Sequence, residues 1–91
     1  MPKPCVYIIE LKCGKYYVGS TTNFDQRYKQ HQRRDHAGTS FSKPINVLLV
    51  QHFETYSMAR KVEAKIKSKK SRVLIEKIIQ NKSIDIKLLG V

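Results

Sequence analysis

The sequence predicts a small α/β (α+β) domain in which helices flank a three-stranded antiparallel sheet, in the order β-β-α-β-α-α. Three observations carry that prediction. Two β-branched and aromatic runs flank Gly14, a nearly continuous apolar run covers residues 46–53, and amphipathic segments follow Asn23, Thr55 and Ser71. With 91 residues and a 41% hydrophobic fraction, the chain can build one core and has no room for a second domain, so residues 1–91 are read as a single unit.

The elements follow in order. Residues 5–11 form the first strand and residues 16–19 the second, with Gly14 marking a hairpin turn. Side chains alternate across a strand, so Tyr7 and Tyr17 share a face only if the loop holds an odd number of residues. A three-residue loop, Cys13-Gly14-Lys15, would pair Leu11 with Tyr17 and put both phenols on one side; a five-residue loop would also serve. Thr22 and Asn23 are suitable N-caps, with Asp25 or Gln26 placed for a capping box. The helix they open runs to about Arg34, with Phe24, Tyr28 and His31 at core spacing and Arg27 one turn from His31.

Residues 35–44 read as a loop closed by Pro44. The run 46–53, with Val47, Leu48, Leu49 and Val50 at its centre, has the character of a central strand covered on both faces. A second helix from Thr55 or Ser57 would bury Ala59, Val62 and Ile66. A third, after Ser71, would present Leu74, Ile75, Ile78 and Ile79, with residues 67–70 either breaking or joining the two. Residues 83–89 alternate apolar and polar, which predicts a short edge strand.

Charge narrows the function. Eighteen Lys and Arg against seven Asp and Glu give a net charge of +11, which favours a polyanionic partner, nucleic acid above all. No strongly apolar helix face points to a bilayer, and no apolar stretch approaches the roughly 20 residues of a membrane span. Cys5 and Cys13 would sit near opposite ends of one hairpin arm, too far apart to bridge. With no signal-peptide pattern, a reducing intracellular compartment is expected.

The chemistry concentrates in few residues. Tyr7 and Tyr17 are paired phenols, each on its own an ordinary strand-packing residue. Gly19 next to them would either let backbone approach a substrate or let the strand bend. Arg27 offers a planar fork suited to phosphate, and His31 lies one turn on. Glu63 flanks an apolar helix stripe among basic neighbours, a costly place for a carboxylate unless a cation satisfies it. Arg60 or Lys67 on the same helix would suffice for that.

In order and spacing, Cys5-Val6-Tyr7, Tyr17-Val18-Gly19, Arg27, His31 and Glu63-Ala64-Lys65-Ile66-Lys67 resemble the GIY-YIG nuclease family over most of the chain. Cys5 replaces the family's first glycine, and Val6 and Val18 replace isoleucines. The resemblance implies a metal-dependent endonuclease that hydrolyses DNA phosphodiesters with activated water. Tyr7 would be the general base, with help from His31, and Tyr17 would orient water or phosphate. Arg27 would contact the scissile phosphate, and Glu63 would hold one divalent cation, Mg²⁺ or alternatively Mn²⁺. Many members also carry a late asparagine, for which Asn81 is the one candidate.

Arg33, Arg34, Lys65, Lys67, Lys69, Lys70 and Arg72 are expected to track a phosphate backbone without reading sequence. The chain resembles small stand-alone members, which argues for structure-directed or weakly specific cutting of branched, nicked or damaged DNA, of a repair or recombination kind. A partner protein could supply targeting, and structured RNA is the alternative polyanion. The competing reading is a noncatalytic basic nucleic-acid-binding module of the same fold.

Overall fold

The computed structural model describes residues 3–33 and 44–90. The order is β1 (Cys5–Leu11), β2 (Tyr16–Thr21), α1 (Phe24–Arg33), β3 (Pro44–His52), α2 (Tyr56–Lys69), α3 (Arg72–Asn81) and a single turn, α4 (Ile86–Leu89). The three strands form one antiparallel sheet in the order β2-β1-β3. This is the expected α+β architecture, with one short helix added at the end.

The hairpin loop has the expected odd length but is shifted by one residue. Leu11 N–H donates to Lys15 O at 2.8 Å and Gly14 N–H to Leu11 O at 2.8 Å, so the loop is Lys12-Cys13-Gly14. Gly14 takes φ +88°, the left-handed conformation that ends a three-residue hairpin loop. The shift pairs Tyr17 with Ile9 instead of Leu11, and Tyr7 with Gly19. Tyr7 and Tyr17 still share a face, because parity and not the particular register decides that.

The centre of the sheet is β1 and not β3. Cys5, Val6, Tyr7, Ile8 and Ile9 are all buried, on both faces of the sheet, whereas Val47 on β3 is 43% exposed. The apolar run in β3 misled because its alternation is interrupted. The register against β1 jumps between Ile8–Leu49 and Ile9–Val47, leaving Leu48 as the extra residue of a bulge. The loop expected over 35–44 lies outside the described residues, apart from Pro44, which already opens β3 opposite Leu11.

Each of the three longer helices starts at a cap the sequence offered. Asn23 Oδ1 accepts from Gln26 N–H, Thr55 Oγ1 from Met58 N–H and Ser71 Oγ from Leu74 N–H, at 3.1–3.2 Å. Lys70, in the left-handed conformation at φ 48°, ends α2 and separates it from α3. The tail is not an edge strand. Asp85 Oδ1 accepts from Lys87 N–H and turns the chain into α4, which Gly90 ends at φ 73°. Gln51 Oε1 accepts from Ile84 N–H at 2.7 Å, which anchors the tail to β3, and Ile84 and Leu89 are buried.

The sheet therefore separates two packing layers. On one side Val6, Ile8, Val18 and Leu49 meet Ala59, Val62 and Ile66 of α2, Ile78 of α3, and Ile84 and Leu89 of the tail. On the other, Cys5, Tyr7 and Ile9 meet Leu11, Tyr17 and Val50 together with Phe24 and Tyr28 of α1. Cys5 is buried and Cys13 is exposed in the hairpin loop; both are free thiols. Among the described residues no helix is long and apolar enough to cross a membrane.

Candidate active site

The α1 layer is aromatic. Tyr7, 1% exposed on the central strand, has its ring centroid 6.2 Å from that of Tyr17 and 5.4 Å from that of Phe24, and Phe24 stacks on Tyr28 at 5.6 Å. Arg27, one turn after Asn23, donates from its guanidinium to both Tyr7 and Tyr17. Its Nη1 also donates to Gln30 Oε1 at 3.2 Å, which steadies the fork along the helix. Thus two strands bring two phenols together and one helix turn places a fixed cation on both.

The electrostatics follow from that packing. Burial pushes the Tyr7 phenol above its ordinary value; the hydrogen bond and charge of Arg27 pull it back, and the nearby Tyr17 and Glu63 add to the rise. Arg27 is held still more firmly in its charged form, first by its hydrogen bond to Tyr7.

Gly19 has a specific steric role, different from the two expected of it. It pairs directly across from Tyr7, and a Cβ at this position would lie 2.5 Å from the Tyr7 hydroxyl oxygen, 2.6 Å from Cζ and 3.0 Å from Tyr17 Cε1. Glycine is required here because the Tyr7 ring occupies the space of a side chain.

Glu63 approaches from the other layer. On α2, between the buried Val62 and Ile66, its side chain is 21% exposed. It accepts a short hydrogen bond from Ser20 Oγ, and its Oε2 lies 2.7 Å from Lys67 Nζ. The same ammonium stands 5.6 Å from the centroid of the Tyr17 ring. Because β2 is an edge strand, groups from the two faces can meet around it. Lys67 makes that link, touching the carboxylate on one side and the phenol ring on the other. The ordinary explanation for Glu63, an ion pair with Lys67, is therefore present.

The Glu63 carboxylate is already paired with Lys67 at 2.7 Å and bonded by Ser20, so a metal ion binding there would take the place of the ammonium. No group of three His, Cys, Asp or Glu among the described residues could hold a metal together. That donor set fits a hard, largely hydrated ion such as Mg²⁺, which commonly binds through one or two carboxylates, waters and phosphate oxygens.

The remaining expected residues are placed as follows. His31 and Arg33 lie in the last turn of α1, with side chains outside the described set, and Arg34 is outside it altogether. Lys65, Lys69 and Lys70 are exposed along α2 and its cap. Arg72 is tied down: its Nη2 donates to Gly14 O at 3.3 Å, its Nε lies 3.6 Å from Glu76, and its guanidinium covers the Tyr16 ring at 4.5 Å. Asn81 ends α3, exposed, in a shallow cleft with residues 83–87 and none of the other expected residues. Ser20 was missed, since a serine after a glycine carries no signal in the sequence. Its pairing with Val6 puts it on the α2 face, toward Glu63.

The chain matches the GIY-YIG catalytic domain over residues 3–79. It is 32% identical over 83 residues to a UPF0213 protein encoded in the VLF1-GP41 intergenic region of Autographa californica nuclear polyhedrosis virus, covering 88% of this chain and 79% of that one. It is 35% identical over 63 residues to a UPF0213 protein of Halobacterium salinarum, covering 68% and 82%. No solved structure matches it significantly.

Proposed function

The chain belongs to the GIY-YIG catalytic domain family, whose members are nucleases acting on DNA, and on that premise we propose that it is a metal-dependent endonuclease of structure-directed or weak specificity. The observation that carries the reading is the convergence of Arg27 on both Tyr7 and Tyr17, at the strand edge that Glu63 and Lys67 reach from behind.

The chain's own groups can perform most of the reaction. Water attacks phosphorus in line, its proton passes to the Tyr7 oxygen, and the bond to the leaving oxygen breaks. Proton transfer requires the phenolate, which burial disfavours; Arg27 favours it, and neutralising Glu63 removes a charge that opposes it. The Arg27 fork also offsets charge building on the phosphate oxygens. Tyr17, fixed between Arg27 and Lys67, orients water or phosphate. Glu63 would hold the divalent cation, which supplies Lewis-acid polarisation of the phosphate and stabilises the leaving oxygen. Ser20 fixes the rotamer of that carboxylate.

The net charge of +11 supports DNA bound through phosphates, and the resemblance to small stand-alone family members is what favours nicked, branched or damaged forms. One observation favours the noncatalytic reading: Lys67 already neutralises Glu63. A cleavage assay separates the two, using labelled single-stranded, duplex, flapped and branched DNA with Mg²⁺, Mn²⁺ or chelator. We expect metal-dependent cuts that fall by about 10²–10³-fold in Glu63→Gln and Arg27→Ala while DNA binding persists. Binding without cleavage in any metal assigns the chain to the noncatalytic class.

A further inference from the structure

A second feature adjoins the site. Between the outer edge of β2 and the α2–α3 junction lies an open cleft of about 360 Å³. It shares Tyr17 and Lys67 with the candidate active site, and its floor is apolar, formed by the half-buried Tyr16, Tyr17 and Ile75 above the buried Val18 and Ile66. Its rim is basic: Lys15 on the hairpin, and Lys70 and Arg72 where the two helices meet. Arg72 donates to the Gly14 carbonyl and lies over the Tyr16 ring with its side chain 60% exposed, so a flat cation stands at the cleft edge.

We infer that this cleft is a subsite for an unpaired DNA strand, which it holds beside the scissile phosphate; the inference rests on the nuclease reading above. Phosphates alone would need only the cations and would leave the apolar floor wet. An apolar floor within a basic rim suits a nucleotide that offers a base face together with its phosphate. A base can present that face only after leaving the duplex stack. The volume is at the lower end for small-ligand sites and leaves room for a nucleotide. The exposed face of the Arg72 guanidinium, backed by the Tyr16 ring, supplies the platform, since guanidinium planes stack on unpaired bases. Shared use of Lys67 and Tyr17 makes the subsite continuous with the reacting centre. Selection of flaps or arms would therefore arise from the shape of this cleft.

Binding in chelator tests this without cleavage. Fluorescence anisotropy of the full chain would compare a thymidine oligonucleotide, a blunt duplex, the same duplex with a single-stranded arm, and a uridine oligonucleotide. The double variant Lys15→Ala/Lys70→Gly removes two exposed rim charges, with glycine suited to the left-handed cap at position 70. Lys61→Ala/Lys77→Ala removes the same charge elsewhere, and Tyr16→Leu removes the ring that backs the platform while keeping an apolar side chain. The rim variant and Tyr16→Leu should each weaken binding of the single strand and the armed duplex about tenfold, and of the blunt duplex less than twofold. The control double variant should not discriminate between them. Equal losses on blunt and armed duplexes, or the same loss in the control, overturn the inference. Tighter binding of the uridine strand by the unmodified protein overturns the assignment to DNA. If the selective loss appears but the protein cuts nothing when metal is restored, only the nuclease reading falls.

Discussion

The two faces of β1 use the same strand for different ends. Val6 and Ile8 point into an aliphatic layer closed by α2, α3 and the tail, where every buried side chain is apolar and the polar pair Ser20 and Glu63 lies only partly buried. Cys5, Tyr7 and Ile9 point into an aromatic layer under α1, where the phenol of Tyr7 is buried but bonded to Arg27. Neighbouring residues 7 and 8 are equally inaccessible, at 1% and 0% exposure, yet only one carries a polar atom. Burial therefore identifies the core and says nothing about which half of it is chemical. The polar tip and its charged partner make that distinction.

Substitutions at these two neighbours should break the comparison if it is wrong. Tyr7→Phe keeps the ring packing and should reduce cleavage by about 10²–10⁴-fold with little change in unfolding free energy. Ile8→Ala should cost about 2–5 kcal/mol of stability, read by denaturant unfolding, while each folded molecule retains its turnover. Normal cleavage by Tyr7→Phe would remove the division of labour between the faces.

Gly19→Ala tests whether the aromatic layer is as tightly packed as the aliphatic one. Its Cβ would displace a buried ring, so a loss of about 1–3 kcal/mol is expected, with a fall in cleavage. Unchanged stability would mean that the Tyr7 ring moves freely.

The smallest effect is electrostatic. Since Arg27 lowers the Tyr7 pKa, Arg27→Ala should move the Tyr7 phenol titration upward, as read by phenolate absorbance. The raised folded-state value means that Tyr7 contributes stability below the ordinary phenol pKa of about 10, and that this contribution is lost as pH rises above it through the folded pKa. A downward shift in the variant would contradict the hydrogen bond.

The sequence made some of this plain and hid the rest for physical reasons. Local signals were reliable: Asn23, Thr55 and Ser71 cap helices because a side-chain oxygen meets an amide three residues on, and parity tied the shared face of Tyr7 and Tyr17 to an odd loop, which the three-residue hairpin supplies. Sheet order was hidden because a bulge at Leu48 let an edge strand look fully apolar, while the five buried residues of β1 carried the better signal. The helical turn at 86–89 was hidden because Asp85 overrode an alternating pattern. Lys67 was legible as an ion-pair partner of Glu63, but its place against the Tyr17 ring was not, since only an edge strand lets one lysine reach both layers. The two tyrosine motifs and Glu63 were legible as chemistry, whereas the contact of Ser20 with Glu63 depends on tertiary placement alone.

The close approach of position 19 to the Tyr7 hydroxyl has a consequence for how such a chain can change over generations. The glycine of the second motif and the phenol of the first occupy one shared volume, so neither can drift independently. A lineage that traded the phenol for a much smaller residue would lose its proton acceptor and, in the same step, release position 19 to accept a side chain. A bulkier residue at 19 would thus be a record that the chemistry at 7 had already been abandoned.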